Sequence, residues 1–114
     1  MALALKVVDH WDDGKRIHVI GTLTASGNYP AGGDTIPLQD PLIKSGSAPI
    51  FATAQSMGGF NYVAQVGAYQ STALPRAVLR AFTDSTGAEV AAGAYPIALA
   101  AAPISFYAIF FKFI

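Results

Sequence analysis

The chain lacks cysteine and carries no net charge. Seven lysines and arginines balance seven aspartates and glutamates among 114 residues. Without cysteine, a disulfide scaffold, a Cys-based zinc site and a cysteine nucleophile are excluded. Because electrostatic binding of nucleic acid needs a basic excess that displaces counterions, neutrality argues against a nucleic-acid partner. Apolar residues make up 53% of the chain, which excludes a disordered tail.

Charged residues are scarce as well as balanced. They form 12% of the chain, against ~25% in an average soluble domain. A neutral, charge-poor surface favours association, so we expect a subunit of a larger assembly; the alternative is an unusually apolar monomer. Domains most often contain ~100–150 residues, and we expect one domain over residues 1–114.

Long helical patterns are also missing. No stretch combines a sustained 3.6-residue periodicity with capping residues. The uncharged run at 90–111 is long enough to cross a bilayer, but Pro96 and Pro103 remove backbone donors that a lipid-exposed helix must satisfy internally. The first residues are too short and too interrupted by charge for a signal peptide. We therefore predict no membrane partner.

The first 25 residues have the pattern of a β-hairpin. Apolar residues alternate in the first strand, and the turn formers at 12–14 end in Gly14, which can supply a positive φ. A turn at this position pairs Trp11 with Lys15 and Val7 with Val19. The turn chemistry and the hydrophobic pattern select the same register.

This register separates two faces of the hairpin. The polar face of the hairpin carries His10 and His18 as diagonal neighbours across the two strands. Three aspartates lie close to them in the sequence. A metal site is conceivable, but Asp9 points to the other face and Asp12 and Asp13 serve the turn, so we expect solvated polar groups and no metal. The apolar face gathers Leu3, Leu5, Val7, Ile17, Val19 and Leu23.

Short strands with turns continue along the rest of the chain. Strands are predicted at 49–54 and 60–69, and a second Asp-led, Gly-closed turn at 84–87 joins strands at 76–83 and 88–92. The last strand, at 103–113, is apolar on both faces, so one face is expected in the core and the other against a neighbouring subunit. This pattern predicts an all-β fold: a small antiparallel β-sandwich or barrel built from hairpins.

A long excursion interrupts the strands at 26–47. It is rich in turn formers, and Pro37 and Pro41 disfavour a central strand there. Loops of this length in compact domains are usually functional or disordered. We predict one long ordered loop with a role in binding.

No stretch has the spacing of a catalytic motif. A Gly-x-Ser-x-Gly elbow is absent, and Gly32-Gly33-Asp34 lacks the lysine of a phosphate-binding loop. The acidic residues are scattered, as solvated groups are. We therefore predict no catalytic, cofactor-binding or metal site, and a protein that is not an enzyme. Arg80 shares a face with apolar residues, where it either reaches a carboxylate of another subunit or extends along the sheet edge to solvent.

Three segments carry a resemblance to a known group. They are GNYPAGGDTIPL at 27–38, AAGAYP at 91–96 and ISFYAIF at 104–110. The chain resembles the small structural proteins that decorate, or cement, the capsids of tailed bacteriophages. The resemblance implies a β-rich, often trimeric subunit on the virion surface, assembled in the host cytoplasm and seated where major capsid proteins meet, with no cofactor and no enzymatic step.

Two other functions remain open. One is a minor phage tail or head-completion protein. The other is a small ligand-binding β-sandwich whose aromatic side chains serve as stacking platforms, namely Trp11, Tyr29, Tyr62, Tyr69 and Tyr95.

The decoration hypothesis makes specific site predictions. Within the long loop, Tyr29, Ile36 and Leu38 are expected to contact the major capsid protein, because aromatic and aliphatic anchors dominate tight interfaces. The contact between subunits of a homo-oligomer, with a trimer expected, is assigned to Arg80, Phe106, Phe110, Phe111 and Phe113.

Overall fold

A computed structural model describes residues 3–38, 43, 48–66, 77–83 and 85–111. The all-β prediction is confirmed, since antiparallel strands dominate the described residues and only one short helix accompanies them. The elements are β1 (Leu3–Asp12), β2 (Arg16–Ala25), β3 (Asn28–Tyr29), β4 (Asp34–Thr35), β5 (Phe51–Gln55), β6 (Phe60–Val66), β7 (Ala77–Thr83), β8 (Gly93–Ala94), α1 (Ile97–Ala101) and β9 (Ile104–Phe111).

The strands form three antiparallel sheets. The largest has the order β1-β2-β9-β5, the second has the order β4-β7-β6, and β3 pairs with β8 in a small ribbon. Side chains from the first two sheets meet in one hydrophobic core, which gives the domain its sandwich-like character. Alternation along each strand explains this arrangement, because successive side chains point to opposite faces of a sheet.

Strand β9 occupies the interior of the largest sheet, between β2 and β5. Its inward side chains are fully buried, from Ile104 through Phe106 to Phe110. The intervening residues Tyr107 and Ile109 are half-buried on the other side of the sheet. The predicted strand with apolar residues on both faces is therefore present over the described part of 103–113.

The first hairpin forms, but its predicted register is wrong. Val7 pairs with Gly21 instead of Val19, which is a shift of two residues that keeps every earlier side chain on its predicted face. An additional residue, Val8, then forms a β-bulge and reverses the faces of the residues that follow. Trp11 consequently lies opposite His18 instead of Lys15.

The bulge also separates the two histidines. His10 pairs with Val19 and leaves the face of His18, so the predicted diagonal pair does not form. The turn itself comprises residues 13–15, with Gly14 at φ +97° as expected. Aspartate side chains close it: Asp12 accepts the N–H of Gly14 at 2.7 Å, and Asp13 accepts that of Arg16 at 2.8 Å.

The second predicted hairpin is only partly regular. Its turn lies at 85–87, where Gly87 has φ +70° and donates its N–H to the Thr83 carbonyl; Asp84 lies outside the described residues. The strand after it is reduced to one bridge between Phe82 and Glu89. Helix α1, which the sequence did not predict, follows Pro96. In the part of the chain that the structure describes, no helix has the length and hydropathy needed to cross a membrane.

The long loop is largely built onto the body of the domain. Tyr29 pairs with Gly93, and Thr35 pairs with Val78 at the edge of the three-stranded sheet. Of the predicted 26–47 loop, residues 39–42 and 44–47 lie outside the described residues. The described part is therefore ordered by backbone pairing.

Two adjacent glycines in this segment give a test of its packing. Both have positive φ, but a Cβ at Gly32 meets nothing within 4 Å, whereas one at Gly33 lies 2.5 Å from Val78 Cγ1 and 2.9 Å from the Leu79 carbonyl oxygen. We expect Gly32→Ala to cost about 1 kcal/mol of backbone strain, and Gly33→Ala to cost about 1–3 kcal/mol more through overpacking. Urea unfolding of both variants measures the difference, and equal losses would contradict the close approach.

Candidate association surface

The three predicted capsid anchors are not on the surface. Tyr29, Ile36 and Leu38 are each no more than 2% exposed and belong to the hydrophobic core. Pairing of β3 with β8 and of β4 with β7 folds their segment inward. Their assignment as capsid contacts is therefore wrong for this fold, because buried side chains cannot bind a partner. The signal in the sequence that fits their burial is the presence of large apolar residues at intervals in a segment otherwise made of turn formers.

A polar network holds the same segment in place. The Tyr29 hydroxyl donates to Glu89 at 2.7 Å and accepts the N–H of Ala81 at 3.1 Å. Burial raises the pKa of Tyr29 to about 12, with a further contribution from the Glu89 carboxylate. The hydrogen bonds from Arg80 and then Tyr29 lower the pKa of Glu89. The Tyr29 hydroxyl thus links β3 to Ala81 before the second turn and to Glu89 after it.

Arg80 has its carboxylate partner within the chain. Its guanidinium donates to Glu89 at 2.9 Å and 3.3 Å and lies 5.3 Å from the centre of the Phe82 ring. It is on β7, the middle strand of the three-stranded sheet. Neither sequence-based alternative, an intersubunit carboxylate or a sheet-edge position, describes this arrangement.

A second tyrosine–carboxylate contact supports the first. Tyr95 donates its hydroxyl to Asp34 at 2.6 Å, and its ring packs edge-on against Tyr29 with centroids 5.6 Å apart. Burial, followed by the hydrogen bond to Asp34, raises the pKa of Tyr95. Asp34 is itself buried, so this hydrogen bond satisfies a carboxylate that would otherwise be costly to desolvate.

The predicted subunit-contact phenylalanines divide between two faces. Phe106 and Phe110 fill the core and are no more than 1% exposed, so their assignment to a subunit interface is wrong. Phe111 is half-buried on the other side of β9, where the Arg16 guanidinium lies 5.9 Å from its ring centre. Phe113 lies outside the described residues.

The side of the four-stranded sheet turned away from the core carries exposed apolar groups. We call it the outer face. Trp11 is 41% exposed and Phe51 is 51% exposed, and the exposed Ile20 lies in the adjacent row. The cross-strand register gives the outer face three rows of four residues: Trp11, His18, Ile109 and Phe51; Asp9, Ile20, Tyr107 and Thr53; and Lys6, Thr22, Ser105 and Gln55. Arg16 and Phe111 form a shorter row beside the first.

A chain of side-chain contacts fixes the exposed indole. Trp11 stacks on His18 with ring centroids 4.9 Å apart and an interplanar angle of 2°. His18 Nε2 lies 2.9 Å from Asp13 Oδ2, and Nδ1 lies 2.8 Å from the Tyr107 hydroxyl. The hydrogen bond from His18, followed by those from the backbone N–H groups of Arg16 and Lys15, lowers the pKa of Asp13.

The two ring nitrogens of His18 have different partners. Nε2–H donates to the Asp13 carboxylate, and Nδ1 shares a hydrogen bond with the Tyr107 hydroxyl. Both ring nitrogens are used, so the imidazole is held at two points. What the arrangement achieves is orientation of the Trp11 ring. The absence of a catalytic role stays a prediction.

An open hollow lies at the other end of the outer face. It has a volume of about 600 Å³ and is lined by Gln55 at the end of β5, by residues 56–58 between β5 and β6, and by Ala102, Pro103 and Ser105. A smaller hollow of about 150 Å³ continues from it toward Tyr107 and shares Gln55 and Ser105. None of the residues that line either hollow is charged. The outer face therefore has a projecting indole at one end and a concave region at the other.

The structure gives little support to a metal site or to a ligand site built from the aromatic platforms. Among the described residues, no group of three or more histidines and acids lies close enough to hold a metal ion. Of the proposed stacking platforms, Tyr29 and Tyr95 are buried and Tyr69 lies outside the described residues. Tyr62 is half-buried, and its buried hydroxyl has no hydrogen-bond partner among the described residues. Trp11 is the exposed aromatic platform of that set.

Comparison of the chain with protein-family models, with curated proteins and with solved structures gives no match.

The Asp13 contacts predict a defined pH response. Because the pKa of Asp13 is lowered in the folded state, its stabilising contribution is present above the ordinary aspartate pKa of ~3.9 and is lost as pH falls through the folded-state value. We expect Asp13→Asn to lower the urea midpoint at pH 7 and to differ progressively less from wild type below about pH 4. Asp9→Asn, which removes a carboxylate whose hydrogen bond is to the neighbouring His10 N–H and keeps an oxygen to accept it, is the control. A difference that is independent of pH would contradict this interpretation.

Proposed function

We propose that this protein is a virion structural subunit that decorates and cements the capsid of a tailed bacteriophage, bound at junctions of the major capsid protein. The observation that carries the proposal is the outer face, where large apolar side chains remain exposed on a domain with few charges. Exposed apolar patches rimmed by polar groups mark interaction surfaces. The resemblance of residues 27–38, 91–96 and 104–110 to decoration proteins supplies the particular assembly.

The size of the outer face supports repeated weak contacts over one tight contact. Strands ~4.8 Å apart and a rise of ~3.4 Å per residue give its three rows a footprint of roughly 300 Å². A stable binary complex buries ~800 Å² on each partner. Several such contacts used together gain affinity through effective concentration, which is the situation of a subunit on a repeating lattice.

Self-association is part of the proposal. We expect a homo-oligomer, with three copies as the expected number, whose subunits meet over the outer face, including Ile109 and Phe111 of β9. An oligomer joined over the outer face presents several copies of its remaining surface to the capsid at once. Because it binds the assembled lattice and not free capsid subunits, it stabilises the lattice by mass action. The protein then lies on the capsid surface after assembly in the host cytoplasm.

A minor tail or head-completion protein would use the same type of surface and differ in copy number and position on the virion. The two alternatives within the phage are separated by counting. A decoration protein copurifies with virions at a copy number tied to capsid symmetry, whereas a tail or completion protein is present in a few copies.

Outer-face variants test the proposal. Ile20→Ser with Phe51→Ser removes apolar surface from two exposed positions, and Val63→Ser removes it from an exposed position on the three-stranded sheet. We expect the double variant to lose self-association and to bind undecorated capsids at least tenfold more weakly, which corresponds to about 1.4 kcal/mol. Val63→Ser should behave as wild type. Light scattering and capsid sedimentation measure both properties, and a monomeric wild type that is absent from virions would refute the proposal.

A further inference from the structure

The outer face has two uncovered features of opposite shape. Trp11 projects at the end nearest the first turn, while the hollow of about 600 Å³ lies beside Gln55 and Ser105 at the far end of the rows. Both belong to the same sheet, so any copy of the chain that presents one also presents the other. A face that carries both an exposed side chain and a concavity offers both halves of a contact between identical subunits.

The lining of the hollow suits an indole. Met57, which is fully exposed, and Pro103 supply apolar walls, and a thioether makes favourable contacts with aromatic rings. Gln55, Ser56 and Ser105 supply oxygen atoms, and a buried indole N–H needs such an acceptor. The volume lies within the ~300–1,000 Å³ of small-ligand pockets, which leaves room for a side chain of this size.

We propose that the hollow of one copy receives Trp11 of a second copy. The inference rests on the proposed function, in which the outer face joins subunits, and it names the contact that does so. In a pair of copies the exchange is reciprocal, and the two outer faces meet in an isologous contact. In a ring of three each copy passes its Trp11 to the next, which is a heterologous contact.

Charge favours a second copy over a charged partner. Charged groups of both signs lie along the outer face and the first turn, with Asp9 and Asp13 balanced by Lys6 and Arg16, and no charged group lines the hollow. Identical copies therefore meet without a large excess of like charge. A strongly acidic or basic partner would find no counter-charge in the hollow.

Asp13, His18 and Tyr107 act as positioning residues. By holding the imidazole on which Trp11 stacks, they fix the indole before contact. A side chain that is already ordered loses less conformational freedom on binding. Aromatic anchors of this kind dominate interface energetics.

The experiment uses the fact that Trp11 is the only tryptophan in the chain. The full-length protein is diluted from about 1 mM to about 1 µM, the range of weak self-association, and the emission maximum and the light-scattering mass are recorded together. We expect the emission to shift to the blue as mass increases, with one midpoint for both signals. Emission that stays constant while mass increases would overturn the inference and leave the proposed function standing.

Three variants complete the test. Trp11→Ala and Ser105→Arg, which fills the hollow with charge at an exposed position, should each raise the dissociation constant by about 30-fold or more, the size of a hot-spot loss. Val63→Arg, on the other sheet, should leave it unchanged. If Trp11→Ala or Ser105→Arg associates like wild type, the contact is elsewhere.

Tyr107→Phe keeps the ring and removes the hydroxyl that contacts His18. We expect a smaller loss, about three- to tenfold, together with a weaker near-ultraviolet circular dichroism signal from Trp11. An unchanged signal would remove the positioning role. A wild type that remains monomeric, and whose Trp11→Ala variant nevertheless loses binding to capsids, would place Trp11 against the capsid protein and overturn the second copy as the occupant. A monomer that is also absent from virions would refute both proposals.

Discussion

Burial of Phe106 and Phe110 from the interior strand β9 is the contact on which the rest of the domain depends. Both rings lie in the core that the two larger sheets share. Since β9 hydrogen-bonds to β2 on one side and β5 on the other, its position fixes both neighbours at once. The alternation that sends these rings inward also sends Tyr107 and Ile109 outward. The core and the proposed association surface are therefore two sides of one strand.

Tyrosine hydroxyls connect the less regular half of the chain to this frame. Tyr29 reaches Glu89 and the backbone of Ala81, and Tyr95 reaches Asp34. Their rings fill space while their hydroxyls satisfy carboxylates, which lets a segment rich in glycine and proline pack against the sheets without a long strand. Ordering this segment closes one side of the core, and among the described residues the outer face is left as an exposed apolar surface of the largest sheet.

The alternation of apolar and polar residues is sufficient to predict the strands and their inward faces. Successive side chains of a strand point to opposite faces, so the pattern places Val19 and Leu23 on the inward face. It was not sufficient for the register. The bulge at Val8 adds one residue to one strand and leaves no mark in the hydrophobic pattern, so the stacking of Trp11 on His18 was missed. The partner of Arg80 was missed for a related reason: Glu89 approaches it across a turn whose second strand is only a bridge. Loop segments usually lie on the surface, which predicts exposure of Tyr29, Ile36 and Leu38, but the short pairings of β3 and β4 fold these side chains into the core.

The same bulge has a consequence for how the sheet can grow. Strand β1 forms one border of the largest sheet, and such a border invites further strands unless it is interrupted. Val8 breaks the regular spacing of donors and acceptors there, and Lys6 and Asp9 place charges on either side of the break. Addition of strand upon strand, the route to fibres, is hindered along this border. Association through the outer face of the sheet is not hindered in this way. Such contacts can form a closed oligomer with a fixed number of subunits.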